Sequence, residues 1–460
     1  HKMKQRNYLL LVVAVALATV MGSCNIYKKC ELPQDGVVGE YAKAVAEPVD
    51  STALGNLAWT EIFTDPQLKS LISQALANNT NLQNAKLNVD IAQAQLLGAK
   101  LSYLPSLAFA PNGSGSSLGG SKLDWGYQLP LSLSWEVDIF GRITNSKRKA
   151  KAALLQSEAY KQATQSQIIG AVANTYYAIV ALQTQLSIYR ETAELWRQSV
   201  DVMKKMKEAG RYTEVAVVQS EANYHSILAT IPTIEIQLHE LNNTMSLLLN
   251  VSPQEWTVNT ASMVTLPTTI EGGVPMSYLA ARPDVRAAEQ SFATAFYATN
   301  MARSAFYPSV TLSAGGGYGT LIGSAIFDPA KWFANLAGQL VMPLFSRGQN
   351  IATLKAAKAQ QQQALNSFQY TLLSAGAEVS SALVTITKQK EAHEQIVKQV
   401  EKMKKAVEYN QDLMLLSTTT YLEVLNAQQS LLSSQIALVN NELQNNQAAI
   451  NLYQALGGGR

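Results

Sequence analysis

The sequence predicts a mainly α-helical, internally duplicated chain in which very long coiled-coil helices are joined to membrane-type β-strands. Three observations carry that prediction. Apolar residues recur every 3.5 positions over long stretches, strict two-residue alternation marks short stretches beside glycine-rich loops, and one order of elements occurs twice in 460 residues. Hydrophobic residues make up 47% of the chain and charged ones 15%, which is too apolar for disorder. Beyond the first two dozen residues, however, no apolar run approaches the ~20 residues that a spanning helix needs. Any crossing of a membrane therefore falls to strands.

The first residues read as an export signal. Lys2, Lys4 and Arg6 precede an apolar stretch from Tyr8 to Val20, and Met21-Gly22-Ser23-Cys24 follows. Small residues before a cysteine fit a lipoprotein signal at 1–23, with Cys24 acylated as the mature N-terminus of a lipid-anchored extension at 24–60. Buried acyl carbons bind a bilayer at ~0.8 kcal/mol each, so several chains on one residue hold firmly. An ordinary secretory signal that happens to contain a cysteine is the alternative. With Cys24 lipidated, only Cys30 remains, which leaves no intrachain disulfide. The net charge of +3 shrinks further without the signal, so there is no basic field for nucleic acid.

The duplication sets the domain order. Tyr103-Leu104-Pro105-Ser106 is answered by Phe306-Tyr307-Pro308-Ser309, Phe140-Gly141-Arg142 by Phe345-Ser346-Arg347, and Tyr212-Thr213-Glu214-Val215 by Tyr421-Leu422-Glu423-Val424. The offsets of these pairings are 203, 205 and 209. Each half then reads helix, proline, glycine-rich strand pair, very long helix, tight turn, shorter helix. The first repeat occupies 61–250, a connector 251–274, the second repeat 275–456 and a tail 457–460.

The long helices follow alternating steps of four and three. Ile168, Val172, Thr175, Ile179, Leu182, Leu186, Tyr189, Ala193, Trp196, Val200 and Met203 form one series, and Leu372 to Val407 forms its counterpart. The shorter helices continue the pattern from Val217 to Leu248 and from Leu422 to Tyr453. Such a sustained period implies coiled-coil packing. A helix from Thr144 to Glu208 would be roughly 100 Å long. Its flanking helices, Pro66–Tyr103 and Thr213–Leu249, would each be a little over half that, with Pro232 kinking or loosening the second.

The strands are of another kind. Tyr127, Leu129, Leu131, Leu133, Trp135 and Val137 alternate with polar residues, giving one apolar and one polar face. Pro130 lacks a donor and predicts a bulge or local irregularity. Trp332, Ala334, Leu336, Leu340, Met342 and Leu344 alternate more loosely around Gly338, while Val310, Leu312 and Ala314 begin a partner strand. Asn112–Ser121 and Gly315–Ser324 read as hairpin loops. A membrane sheet has to close on itself, and four strands fall short of the eight that the smallest single-chain barrels use. The barrel is then shared between chains, and three chains supply twelve strands. Two hairpins capping a soluble helical bundle are the alternative.

Chemistry-bearing motifs are absent from this reading. The four histidines, His1, His225, His239 and His393, lack ligand spacing, and His393 sits on a heptad position. Gly315-Gly316-Gly317-Tyr318-Gly319 leads into a strand pattern instead of the helix a phosphate loop needs. Met203 and Met206 near a helix end read as core filling. No catalytic residue, metal site or cofactor is expected.

Three strings resemble one family. Trp59–Asn79 (WTEIFTDPQLKSLISQALANN) looks like the opening motif of lipoprotein outer-membrane factors, the TolC-like ducts of tripartite efflux pumps. Thr420–Leu432 (TYLEVLNAQQSLL) resembles their second helical turn, and Asn451–Gly459 (NLYQALGGG) their C-terminal motif. The resemblance implies a homotrimer whose twelve-stranded barrel, four strands per chain, sits in outer-membrane lipid and continues into a coiled-coil α-barrel in the periplasm. It implies a periplasmic adaptor (membrane fusion) protein and an inner-membrane efflux transporter of RND type as partners. Adaptor contacts fall on the helix tips at Gly210, Arg211, Tyr212, Thr213, Thr418, Thr419 and Thr420. By the same resemblance, Glu423 and Asn426 stand where TolC has inward gate carboxylates, the second position being an amide here. Tyr421 packs between helices or forms part of the latch. Multidrug, metal-ion and protein-secretion ducts share this plan, so the cargo stays open. A pore-free, lipid-anchored periplasmic coiled-coil scaffold is the alternative function.

Overall fold

The computed structural model describes residues 27, 30–45, 54–117, 119, 124–261, 276–320, 332–416 and 420–459. The expected signal and Cys24 lie outside these. The helices are α1 (Gly36–Val45), α2 (Trp59–Ile62), α3 (Pro66–Asn78), α4 (Thr80–Leu101), α5 (Arg142–Glu208), α6 (Glu214–Leu248), α7 (Met276–Ala280), α8 (Pro283–Ser304), α9 (Gln349–Leu415) and α10 (Tyr421–Ala455). The strands are β1 (Ser106–Phe109), β2 (Asn112–Ser116), β3 (Asp124–Val137), β4 (Ser309–Thr320) and β5 (Trp332–Val341). No described helix is long and apolar enough to cross a membrane.

The repeat is tighter than its sequence anchors suggest. α5 and α9 both have 67 residues, and α6 and α10 both have 35. All four ends of these matched pairs are 207 positions apart. Before the strands the offset is 203, as in α4 against α8. The register therefore changes once, by four residues, within the strand hairpins. This corrects the pairing of Arg142 with Arg347, since α5 begins at Arg142 and α9 at Gln349, and the pairing of Glu214 with Glu423. Thr213 and Thr420 are the matching N-cap residues, so Glu214 corresponds to Tyr421 and Glu423 to Ala216.

The chain divides into two compact units. The first contains residues 1–33, 88–158 and 287–370, and the second 34–87, 159–286 and 371–460. In the first, all strands form one antiparallel sheet in the order β1-β3-β4-β5, with β2 also on β3. Each ladder keeps one register throughout. The irregularity expected at Pro130 takes the form of a gap in the ladder, and no bulge forms. Phe109 faces Leu131 and Asn112 faces Gln128, so the ladder is interrupted at Ala110-Pro111 without slipping. Two prolines that cannot donate account for the gap, and Ala110 N–H still bonds the Pro130 carbonyl at 3.2 Å. Much of each expected loop is strand, namely Asn112–Ser116 and Gly315–Thr320. The glycines explain this by letting backbones approach. A Cβ on Gly317 would lie 2.1 Å from the Leu129 carbonyl oxygen.

In the second unit the predicted Pro66–Tyr103 helix is broken at Asn79. Its backbone is extended there, and its Oδ1 accepts from Asn81 N–H at 2.9 Å and Leu82 N–H at 3.3 Å. Asn79 thus caps a new helix. Pro232 does not end α6. The opening and C-terminal motifs pack together. Asp65 caps α3 through Gln67 N–H and accepts the Tyr176 hydroxyl at 2.8 Å. Tyr453 donates to the Leu57 carbonyl at 2.7 Å, accepts from Gly459 N–H at 2.9 Å, and meets Phe63 edge-on. The heptad series of α5 turns inward, with Ile168, Val172, Ile179, Trp196 and Met203 buried.

Candidate functional site

The first helix turn is a glycine stop. Gly210 takes φ 71°, its N–H bonds the Lys207 carbonyl at 2.8 Å, and Arg211 N–H bonds the Met206 carbonyl at 2.9 Å. This pair of bonds defines a Schellman motif, which ends α5 where a residue with a Cβ would be strained. Thr213 then begins α6 with an extended backbone but no side-chain cap. Lys207 pairs with Glu214, and Lys204 with Glu221 at 2.8 Å. Both pairs are exposed, so solvent screens them and they add little to the hold of the turn.

In the second turn Leu416 N–H bonds the Asp412 carbonyl at 3.1 Å, and Thr420 opens α10. Thr418 and Thr419 lie outside the described residues. Tyr421 is 5% exposed and packs with Met203, Val217 and Leu425, which makes Met203 a core residue. The Tyr212 ring meets Tyr421 with 6.3 Å between centroids. Burial, then the neighbouring Tyr212, raises the Tyr421 phenol above its ordinary pKa. Its hydroxyl faces Ser220 without hydrogen-bond geometry. The buried stripe in this first turn runs through Tyr421, Val424 and Leu425. The predicted heptad members Leu422 and Gln429 are exposed instead.

Glu423 and Asn426 are exposed on the opposite side of α10. They begin a stripe that sequence reasoning missed. Glu423, Asn426, Ser430, Ser433, Ala437, Asn440, Gln444, Gln447 and Asn451 follow steps of three and four, and all but Gln447 are exposed. The signal was present as a second, polar heptad series beside the apolar one. Only Glu423 in it carries charge. Further along, His393 Nδ1 lies 2.9 Å from Asn441 Oδ1, and Asn441 donates to Gln389 at 2.9 Å. The polar heptad residues Gln389 and His393 of α9 are therefore satisfied by Asn441 of α10, which lies off the heptad series. No cluster of metal-ligating side chains occurs among the described residues.

The sheet sorts most of its side chains by face, with Phe333 and Val341 the large apolar residues on the polar side. Directly paired residues share a face, and one face holds the rows Leu107–Leu133–Ala314–Leu336, Phe109–Leu131–Gly316–Ala334, Leu129–Tyr318–Trp332, Trp135–Leu312–Gly338 and Val137–Val310–Leu340. The other face carries Ser134–Ser313, Ser132–Gly315–Asn335 and Glu136–Thr311–Gln339. Leu336 is 84% exposed and Leu340 67%. An apolar sheet face this open requires a non-aqueous neighbour.

A one-sided membrane sheet joined to duplicated coiled-coil helices defines a β-barrel duct with a helical extension. The family model for outer membrane efflux proteins matches residues 71–251 and again 274–458. The chain belongs to the outer membrane efflux protein family and is the outer-membrane exit duct of an efflux system. It is 29% identical over 412 residues to the cation efflux system protein CusC of Escherichia coli O6:H1, covering 88% of each chain. It is 28% identical over 475 residues to the toluene efflux pump outer membrane protein TtgC of Pseudomonas putida, covering 98% of this chain and 95% of that one. A crystal structure of CusC superposes with TM-score 0.83 at 27% identity, covering 95% of this chain and 100% of the other. The resemblance to TolC-like ducts read from the three strings therefore holds.

Proposed function

We propose that three copies of this chain close one twelve-stranded barrel in the outer membrane and form a passive channel with no catalytic role. The observation that carries this reading is the open, one-sided sheet. Among the described residues β5 and the β1/β2 strand are each paired on one side only, while five apolar rows cover one face. Unpaired backbone groups in lipid cost several kcal/mol each. The β1/β2 edge of one copy pairing with β5 of the next removes that cost in all three. Unheated SDS gels of detergent-extracted protein test this. A compact species of trimer mass that collapses to monomer on boiling is expected, and monomer before heating overturns it.

The helix turns at Gly210–Thr213 and Thr418–Thr420 receive the periplasmic adaptor, and an inner-membrane transporter of RND type delivers cargo. The names of the relatives refer to cations and to toluene, so this duct plan serves chemically different cargoes. The polar stripe of α10 lines the lumen, and Glu423 contributes a ring of three carboxylates where the channel narrows. Asn426, one turn on, adds a neutral constriction, and Tyr421 holds the helices together behind them. Carboxylates at close range attract cations and hinder anions. Replacing Glu423 with Gln should lower the cation preference of single-channel currents, and unchanged selectivity would remove Glu423 from the pore. Cys24 carries the lipid anchor, and intact-mass measurement of the mature N-terminus checks it.

A further inference from the structure

The helical segments beside the sheet carry charge of one sign. In residues 91–105, 139–157, 290–308 and 342–370, the helical segments that flank the strands, every charged residue is Lys or Arg. The first acidic residues beyond them are Asp90, Glu158, Glu289 and Glu378, while Glu136 lies in β3 and Asp138 directly follows its last residue. Glu136 is consumed by Arg142, and Asp138 caps α5 through Ile143 N–H at 2.8 Å and Thr144 N–H at 2.7 Å. None of the remaining basic residues in these segments forms an ion pair among the described residues. Both repeats carry the feature at equivalent positions, Lys100 with Arg303, Arg148 with Lys355, and Lys151 with Lys358.

The direction of this charge follows from a chain of contacts. Trp135 belongs to the apolar face of the sheet, and its Nε1–H donates to the Tyr103 carbonyl at 2.9 Å. The Tyr103 hydroxyl lies 2.8 Å from Thr144 Oγ1, and Lys147 Nζ stands 5.6 Å from the Tyr103 ring centroid. Lys147 is therefore on the lipid-facing side of the rim, and Lys151, four residues on, shares its helix face. Arg142 turns instead to Glu136 on the polar face. An aromatic pair at the end of an apolar strand with cations just beyond it is the arrangement a bilayer interface favours. Lys151 is roughly 14 Å along α5 from Arg142, within reach of headgroups for a long side chain and a field that decays over ~8 Å.

We propose that Lys147, Arg148 and Lys151 of α5, with Lys355 and Lys358 of α9, form a basic collar that binds the phosphates of anionic phospholipids at the periplasmic surface of the outer membrane. The inference rests on the membrane reading of the sheet. Each copy presents the collar from both repeats, and each lysine near an anionic surface contributes about fivefold in affinity at low salt.

The full chain, reconstituted in phosphatidylcholine nanodiscs with and without a minor share of phosphatidylglycerol, is released for native mass spectrometry of the retained lipid. Wild type should retain phosphatidylglycerol several-fold over phosphatidylcholine, less so as salt rises. The variant combining Lys147→Gln, Arg148→Gln, Lys151→Gln, Lys355→Gln and Lys358→Gln should retain both equally, with trimer mass unchanged, and the variant with Lys→Arg at the four lysines should keep the preference. Equal retention by wild type, or an unchanged preference in the Gln variant, overturns the collar alone. Failure of wild type to insert in either bilayer overturns the membrane sheet and the collar with it. Binding of soluble polyglutamate without any lipid preference would assign the surface to an acidic protein and overturn the proposal.

Discussion

The rings of Tyr212 and Tyr421 meet edge-to-face at 71° with 6.3 Å between centroids. One residue comes from each helix turn, so the contact ties the first repeat to the second where α6 and α10 begin. Edge-to-face pairs contribute roughly 0.5–1.5 kcal/mol beyond area burial. Tyr421→Ala removes that contact and opens space beside Met203 and Val217, at an expected local cost of about 3–5 kcal/mol. Longer channel openings and a lower melting temperature should follow. Tyr421→Phe keeps the ring and loses only a hydroxyl without a good partner, so it should behave as wild type in both measurements.

A second tyrosine makes stability fall at alkaline pH. The Tyr176 phenol is raised above its ordinary pKa of 10.0, first by burial and also by Asp65, which accepts its hydrogen bond, although Asn259 N–H opposes the shift. A raised folded-state pKa gives stability that is complete below the unfolded value and lost as pH climbs past it. Denaturation midpoints should therefore decline above pH ~10, where lysines also titrate. Tyr176→Phe separates the two. It should cost about 1–2 kcal/mol at neutral pH and show a shallower alkaline decline than wild type.

What the residues disclosed in advance was periodicity. The heptads of α5 and the alternation of β3 give helix length and strand face directly, because each is a property of the local chain. What they hid depends on neighbours. Asn79 reads as one more helical residue until its side chain is seen capping α4. Gly315–Gly319 reads as a loop because the reason for its glycines, the approach of the β3 backbone, comes from a segment nearly two hundred positions away. The Glu214–Glu423 equivalence failed for a similar reason, since a shared carboxylate is a weaker guide to register than the two N-caps. The lipid-facing lysines went unnoticed because the chain's near-neutral total conceals their concentration beside the sheet.

The sheet faces predict opposite outcomes at adjacent positions. Leu131 shares a row with Phe109, Gly316 and Ala334, whereas Ser132 shares one with Ala108, Gly315 and Asn335. Arginine near mid-membrane on the lipid face costs ~2–4 kcal/mol per chain. Leu131→Arg should reduce the trimer recovered from outer membranes, and Ser132→Arg should leave it near wild-type levels. Equal recovery of both would contradict the assignment of faces.

Two glycines should respond in opposite senses to alanine. Gly317→Ala sets a methyl against the Leu129 carbonyl and should destabilise by about 1–3 kcal/mol, lowering the temperature at which the unboiled trimer dissociates. Gly98, inside α4, has nothing within 4 Å of an added Cβ. There Gly98→Ala should stabilise by about 0.5–1 kcal/mol, read as a higher denaturation midpoint.

Recording from planar bilayers tests most directly whether this chain by itself makes a membrane-spanning conduit. The purified full-length protein, of trimer mass, is added alone, without adaptor, transporter or nucleotide. Discrete current steps that scale with voltage, are closed most of the time and favour cations are expected. A protein that associates with the bilayer but gives no current steps at any voltage, alone or as the Tyr421→Ala variant, would contradict the duct and favour a pore-free scaffold.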